Sequence, residues 1–257
     1  MCNCTTASLP EQDFDWSLIG LDNPPTAKAT STAEWRLPRG ATPLAKHSIS
    51  KNRAVITLEL ILIRHGLPER VETEDGTPAD PPLSEVGHEQ ARRMADWLQD
   101  TSVDFLYSSP MRRAVQTAAP LSTNKSLTPD LRDGVAEFDR SASHYIPVEQ
   151  MKKDNYEAWQ RLMKGEVSGV NFERFCTEVV NTLNEIVAGH RGQTVAVTCH
   201  GGVINAWTAH VLGMQPRMFF NPNYTSISRY MVASSGERSI ITINEHTHLK
   251  GLGSNRG

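Results

Sequence analysis

The sequence has no long apolar run. Its densest stretch, residues 58–63, is interrupted by Glu59 and falls far short of the roughly 18–20 apolar residues a helix needs to cross a bilayer. It also lacks an excess of either charge: 26 basic against 29 acidic residues leave a formal net charge of -3, so nucleic acid is not an expected partner and any anion recognition has to be local. The first ten residues carry no basic segment followed by an apolar one, which makes the cytoplasm the expected compartment. Four cysteines, Cys2, Cys4, Cys176 and Cys199, show no spaced framework and read as reduced thiols. Cys2-x-Cys4 and His246-x-His248 come without the further ligands of a closed metal site, so no metal is expected. Neither a Walker-type glycine loop nor a Gly-x-Gly-x-x-Gly fingerprint is present, so no nucleotide cofactor is expected either.

What is present divides in two. Residues 1–53 show little periodicity and are punctuated by Pro24-Pro25, Pro38, Gly40 and Pro43. They read as a flexible N-terminal extension, with Trp16, Leu18 and Ile19 as an alternative docking anchor. Residues 54–257 read as one domain. Residues 55–63 are rich in β-branched side chains and end almost continuously apolar, as a strand buried on both faces would. Ser84 is placed to cap a helix in which Ala91, Met94, Ala95 and Leu98 form one stripe. Residues 103–107 read as a strand, Ser109-Pro110 as the cap and first turn of a helix over 111–119, and 148–164 as one charged helix. Residues 172–187 have a broad apolar face. Residues 194–199 form a second buried strand, which Gly201-Gly202 separates from a helix over 203–212. Two late strands follow near 226–232 and 239–244. The alternation predicts an α/β three-layer sandwich, its mainly parallel central sheet flanked by helices on both faces, with ligands beyond the carboxyl ends of the strands.

Two buried strands end in histidine followed by glycine: Arg64-His65-Gly66 and Cys199-His200-Gly201-Gly202. Both histidines are therefore expected at one sheet edge, and the glycines let backbone N–H groups approach a ligand at a helix start. Arg113 falls in the first turn of a helix that also follows a strand, which makes it a candidate cation. Cys199 alternates with His200 along the strand and is expected to pack away from the site.

Together with Pro82-Leu83-Ser84-Glu85-Val86-Gly87, Gln90-Ala91, the run Ser108-Ser109-Pro110-Met111-Arg112-Arg113-Ala114-Val115-Gln116-Thr117-Ala118 and the closing Asn244-Glu245-His246-Thr247-His248-Leu249, these segments resemble the histidine phosphatase superfamily. The resemblance is to the branch that holds phosphoglycerate mutases and broad-specificity phosphatases. It implies that His65 is the nucleophile, that Arg64, Arg113 and His200 form the phosphate pocket with Gly201 beside them, and that an acidic residue after the third strand donates a proton. Asp133 and Glu137 both qualify for that last role. Glu137 is preferred because its apolar neighbours would desolvate the carboxyl and raise its pKa, while Asp133 and Asp139 also fit a solvated acidic loop. The Gly66 carbonyl is expected to hold one imidazole N–H of His65 and leave the other nitrogen bare. Arginines suit this chemistry because they grip phosphate in bidentate fashion without a metal.

The sequence departs from the mutase pattern. Leu67-Pro68-Glu69-Arg70-Val71 stands where the mutases carry a Trp-Asn element, and the segment after Glu137 has no Gly-x-Trp-Glu-Gly-like stretch. Water is thus the expected acceptor, and hydrolysis of small phosphate monoesters through a phosphohistidine the expected activity. A phosphomutase and a non-catalytic phospho-ligand-binding protein are the alternatives. Arg140 is a further candidate for substrate contact, against the alternative of an exposed ion pair. The partners this implies are a small phosphorylated metabolite and, as one option, a second copy of the chain in a homodimer, with neither nucleic acid nor membrane.

Overall fold

The computed structural model describes residues 56–164, 166 and 170–252, apart from the side chain of Glu149. The N-terminal extension, with Cys2 and Cys4, lies outside the described residues.

The central strand is β1 (Thr57–Arg64), which pairs in parallel with β6 (Thr194–Cys199) on one side and antiparallel with β7 (Ile227–Ala233) on the other. Its side chains alternate between two separate cores. Leu58, Leu60 and Leu62 join Val195 and Val197 against α5 (Phe172–Gly189) and α6 (Gly201–Leu212), whereas Ile61 and Ile63 join Ala196 and Leu106 against α1 (Glu85–Trp97) and α2 (Arg112–Lys125). A strand that must satisfy two layers reads as a continuous apolar run because the period of two places every residue in one core or the other.

The six-stranded sheet runs β4-β3-β6-β1-β7-β8, with β3 (Phe105–Ser108), β4 (Asp130–Leu131) and β8 (Arg238–Glu245) completing it. Its four strands from β4 to β1 are parallel, and β7 and β8 are antiparallel additions at one side. The fold is thus the α/β sandwich with helices on both faces, and the sheet is mixed. A separate two-stranded ribbon pairs β2 (Val71–Glu72) with β5 (His144–Tyr145). Helices α3 (Val148–Asp154) and α4 (Tyr156–Met163) are the remaining α-helices among the described residues.

Several boundaries differ from the sequence expectation. Helix α2 runs past Pro120 to Lys125, because burial of Ala118 and Leu121 holds the helix through a residue that removes one backbone hydrogen bond. It starts at Arg112 with Met111 as its cap, so Ser109 does not cap it. The segment 148–164 is two helices, because the backbone of Asn155 breaks the first while its side-chain oxygen accepts from the Ala158 amide (3.0 Å) and caps the second. Gly201 and Gly202 are the first turn of α6 rather than a separator. Ser84 does cap α1, accepting from the Gly87 amide at 3.1 Å.

Candidate active site

The parallel register sets Arg64 beside Cys199 and Ser108 beside Thr198, so β1, β3 and β6 end at one edge. Because β7 is antiparallel, the loop that feeds it arrives at the same edge, and Ile227 pairs with Ile63. Arg64, His65, Arg113, Glu137 and Gly201 line a cavity of about 930 Å³ there.

The backbone of His65 is held from two sides: its N–H donates to the Cys199 carbonyl (2.9 Å) and its carbonyl accepts from the Thr225 amide (3.2 Å). Its Nδ1 donates to the Gly66 carbonyl at 2.8 Å, which leaves Nε2 with a bare lone pair. Burial, with Arg113 and Arg64 nearby, holds this imidazole well below the ordinary histidine range, hence neutral at pH 7. Gly66 in turn receives a hydroxyl: its N–H donates to Thr117 Oγ1 (2.9 Å), and that hydroxyl donates to the Arg113 carbonyl one helical turn back (2.7 Å). The loop carrying His65 also rests on α1 backbone to backbone. A Cβ on Gly66 would stand 2.6 Å from the Gly87 carbonyl oxygen, and one on Gly87 would stand 2.1 Å from that of Leu67.

Two buried guanidinium groups flank the imidazole. Arg64 Nη1 donates to the Pro222 carbonyl and to Asn221 Oδ1 (3.3 Å), and its Cζ lies 4.1 Å from the centre of the Tyr224 ring. Arg113 is 1% exposed; its Nη2 pairs with Asp139 Oδ1 at 3.0 Å, and its Cζ lies 4.6 Å from the centre of the Tyr145 ring. Its Nε and Nη1 are buried without a hydrogen-bond partner. Two donors of a buried cation left in this way suit an anionic ligand at that point, since an unmet charged donor is costly to bury.

His200 ends β6, caps α6, and lies with its ring centre 5.1 Å from that of His65. Its Nε2 contacts Ser109 Oγ at 2.8 Å, while Nδ1 is buried with no partner. Burial, reinforced by Arg113, keeps this ring well below the ordinary histidine range as well. With the Ser109 hydroxyl donating to Nε2, Nδ1–H is a further donor for an anion.

Glu137 is 8% exposed, and its Oε2 accepts from the Gly202 amide in the first turn of α6 (2.9 Å). Burial first, and the Asp139 carboxylate second, push its pKa up to about 7 against the opposing pull of the Gly202 amide and Arg113. It is therefore an acid able to exchange a proton near neutrality.

Not every sequence candidate comes together here. Asp133 and Arg140 are exposed and line, with Asn171 and Arg174, an adjoining depression that shares Glu137, Phe138 and Ser141 with the cavity, but neither lines the cavity that holds His65. Cys199 is buried in the α5–α6 core, where desolvation pushes its thiol up, away from reactivity. His246 Nδ1 donates to the Asn244 carbonyl (2.7 Å) and His248 Nε2 contacts Thr225 Oγ1 (3.2 Å). Among the described residues no group of three or more His, Cys, Asp or Glu side chains is arranged to hold a metal ion, and no helix is long and apolar enough to cross a membrane.

The sequence reading missed the loop bearing Asn221, Pro222 and Tyr224, the hydroxyls of Ser109 and Thr117, and the pairing of Asp139 with Arg113. Asn221-Pro222-Asn223 is a turn signal directly before a strand, and Thr117 stands four residues after Arg113 on one helix face. Both were visible signals.

Comparison with known proteins agrees with this geometry. A family profile described as the histidine phosphatase superfamily (branch 1) matches residues 60–245. Phosphoserine phosphatase 1 of Hydrogenobacter thermophilus is 28% identical over 201 residues, 75% of this chain and 94% of that protein. The adenosylcobalamin/alpha-ribazole phosphatase of Escherichia coli is 27% identical over 165 residues, 61% of this chain and 80% of that protein. Among solved structures, a phosphoserine phosphatase mutant from Entamoeba histolytica in complex with phosphoserine shares the fold with a TM-score of 0.60 at 23% identity, covering 75% of this chain and 99% of that one.

Proposed function

Because the chain belongs to the histidine phosphatase superfamily (branch 1) and is a phosphoric monoester hydrolase, we propose that it hydrolyses small phosphate monoesters through a covalent intermediate on His65. The observation that carries this reading is the bare Nε2 of His65, fixed by the 2.8 Å bond from Nδ1 to the Gly66 carbonyl, between two buried arginines. A neutral imidazole approaches an anionic ester without repulsion, and preorganised cations stabilise the transferring phosphoryl group.

Nε2 attacks phosphorus as the P–O bond to the alcohol breaks, while Arg64, Arg113 and His200 Nδ1–H hold the non-bridging oxygens beside the start of α6. Glu137 gives its proton to the leaving oxygen, then takes one from the water that attacks the phosphohistidine. Phosphate leaves and both groups return to their starting states. The absence of the mutase elements after Gly66 and after Glu137 supports water, rather than a second hydroxyl, as the acceptor. We assign catalysis to residues 54–257, with 1–53 as an extension, and place the enzyme in the cytoplasm acting without a metal.

Rapid quenching with a radiolabelled ester tests this: acid-labile label is expected on His65 and absent from His65→Ala. Product formation without label at that position would overturn the mechanism. Isomerisation of phosphoglycerates outrunning phosphate release would overturn the hydrolase assignment.

A further inference from the structure

The phosphate seat occupies only one end of the 930 Å³ cavity, which is large for an organic ligand site, such sites spanning roughly 300–1,000 Å³. The lining from α3, α4 and the loop before β7 is mainly apolar, with Arg161 and Asn221 the exceptions. Ile146 and Val148 lead into α3, Met151 follows on that helix, Ala158 and Leu162 face in from α4, and Met218 closes from the loop before β7. Leu162 and Met218 are buried, so this wall is part of the packed structure rather than an exposed surface.

Charge sharpens the point. Among the described residues, the arginines lining the cavity are Arg64, Arg113 and Arg161, and the first two belong to the phosphate seat. Arg161 is more than half exposed and 4.0 Å from Glu157. Against it stands the cavity carboxylate of Glu166, while that of Asp139 is already paired with Arg113. Outside the phosphate seat the lining therefore offers a second phosphate or a carboxylate no surplus of arginine over carboxylate in exchange for the water it would lose.

Building on the phosphatase reading, we propose that the preferred substrates are monophosphates of bulky, uncharged apolar alcohols, whose hydrocarbon part fills the chamber roofed by α3 and α4. Esters that carry a further anionic group are poor substrates.

A chain-length series tests this with leaving groups of matched acidity. For n-propyl, n-hexyl and n-octyl phosphate, kcat/KM is expected to rise about threefold to fourfold for each methylene buried, so that octyl, with five more methylenes, exceeds propyl by at least about two hundredfold. Phosphoserine and 3-phosphoglycerate should fall below propyl. Met151→Glu should shrink the octyl-to-propyl ratio at least tenfold, a readout to which a general loss of folded enzyme contributes nothing. Calorimetric titration with the matching alkylphosphonates, which contain no ester to cleave, should show the same order in Kd. A flat phosphonate series, an unchanged ratio in Met151→Glu, or phosphoserine outperforming octyl phosphate would overturn the assignment. Tight octylphosphonate binding with no phosphate released from any ester would overturn the catalytic reading instead and leave the apolar chamber standing.

Discussion

Asp139 stands between Arg113 and Glu137: its Oδ1 is 3.0 Å from Arg113 Nη2, and its charge is one of the two influences that push Glu137 up to about 7. A phosphate arriving at Arg113 competes with Asp139 for the same guanidinium, so one carboxylate bears on both binding and proton transfer.

The acid function follows from this placement. Glu137 donates only while protonated, so kcat/KM for alkyl phosphates should fall as pH rises through about 7. Asp139→Asn removes a negative neighbour, favours the Glu137 carboxylate, and should move that alkaline limb to lower pH. A pH–rate profile that stays in place or moves upward would show that Asp139 does not tune the donor.

Glu137→Gln should reduce turnover of alkyl phosphates by about 10²–10⁴-fold, typical of a lost general acid. Aryl phosphates, whose leaving oxygen needs less protonation, should suffer far less. Asp133→Asn, at an exposed position outside the cavity, should leave both rates near wild type. The reverse pattern would transfer the role to Asp133.

Arg113→Ala should lower kcat by about 10²–10³-fold if its donors tighten on the transferring group. Arg113→Lys should recover only part of this, because a point charge cannot reproduce the guanidinium fork. Equal kcat in all three proteins would remove Arg113 from the transition state.

Gly202 leaves no room for a side chain: an added Cβ would stand 2.1 Å from Glu137 Oε1. Gly202→Ala should therefore displace the acid and reproduce the leaving-group signature of Glu137→Gln with the carboxyl still present. Equal losses on alkyl and aryl esters would point to general damage instead.

Acid stability has a calculable sign. His65 and His200 are held well below their ordinary value of 6.5, so below that pH the unfolded chain takes up protons that the folded one refuses. The stability they contribute is present above 6.5 and is lost on acidification. Glu137 acts oppositely: raised from 4.5 to about 7, it contributes stability that is full below 4.5 and lost as pH rises through about 7. With two imidazoles against one carboxyl, Tm should drop between pH 6.5 and 5, and drop less in His200→Asn. An identical slope would show that His200 does not refuse protons in the fold.

How much of this was legible depended on whether a local pattern or a distant partner decided it. The layered fold and the shared edge for His65 and His200 were readable because buried strands advertise themselves as apolar runs and each ended in the same way. The turn of the sheet from parallel to antiparallel at β7 was not, since pairing partners lie far apart in sequence. Arg140 looked like Arg113, a cation near the acid, but the backbone turns after Glu137 and carries it out to solvent. Helix α2 outran its proline because the core on Ala118 and Leu121 overrides local propensity. Asp139 appeared solvated because nothing local reveals that a helix start 26 residues earlier delivers Arg113 to it.

Glu137 is clipped to the second residue of α6, the helix whose first residue lines the phosphate seat and whose cap is His200. The Glu137 carboxyl and the His200–Gly201 side of the cavity therefore share one support, whereas Arg64 and Arg113 reach the same place from β1 and α2. Helices α3 and α4 carry none of these groups, so under the proposed function substitutions there are expected to change which alcohols are admitted and to leave the bond-breaking geometry intact.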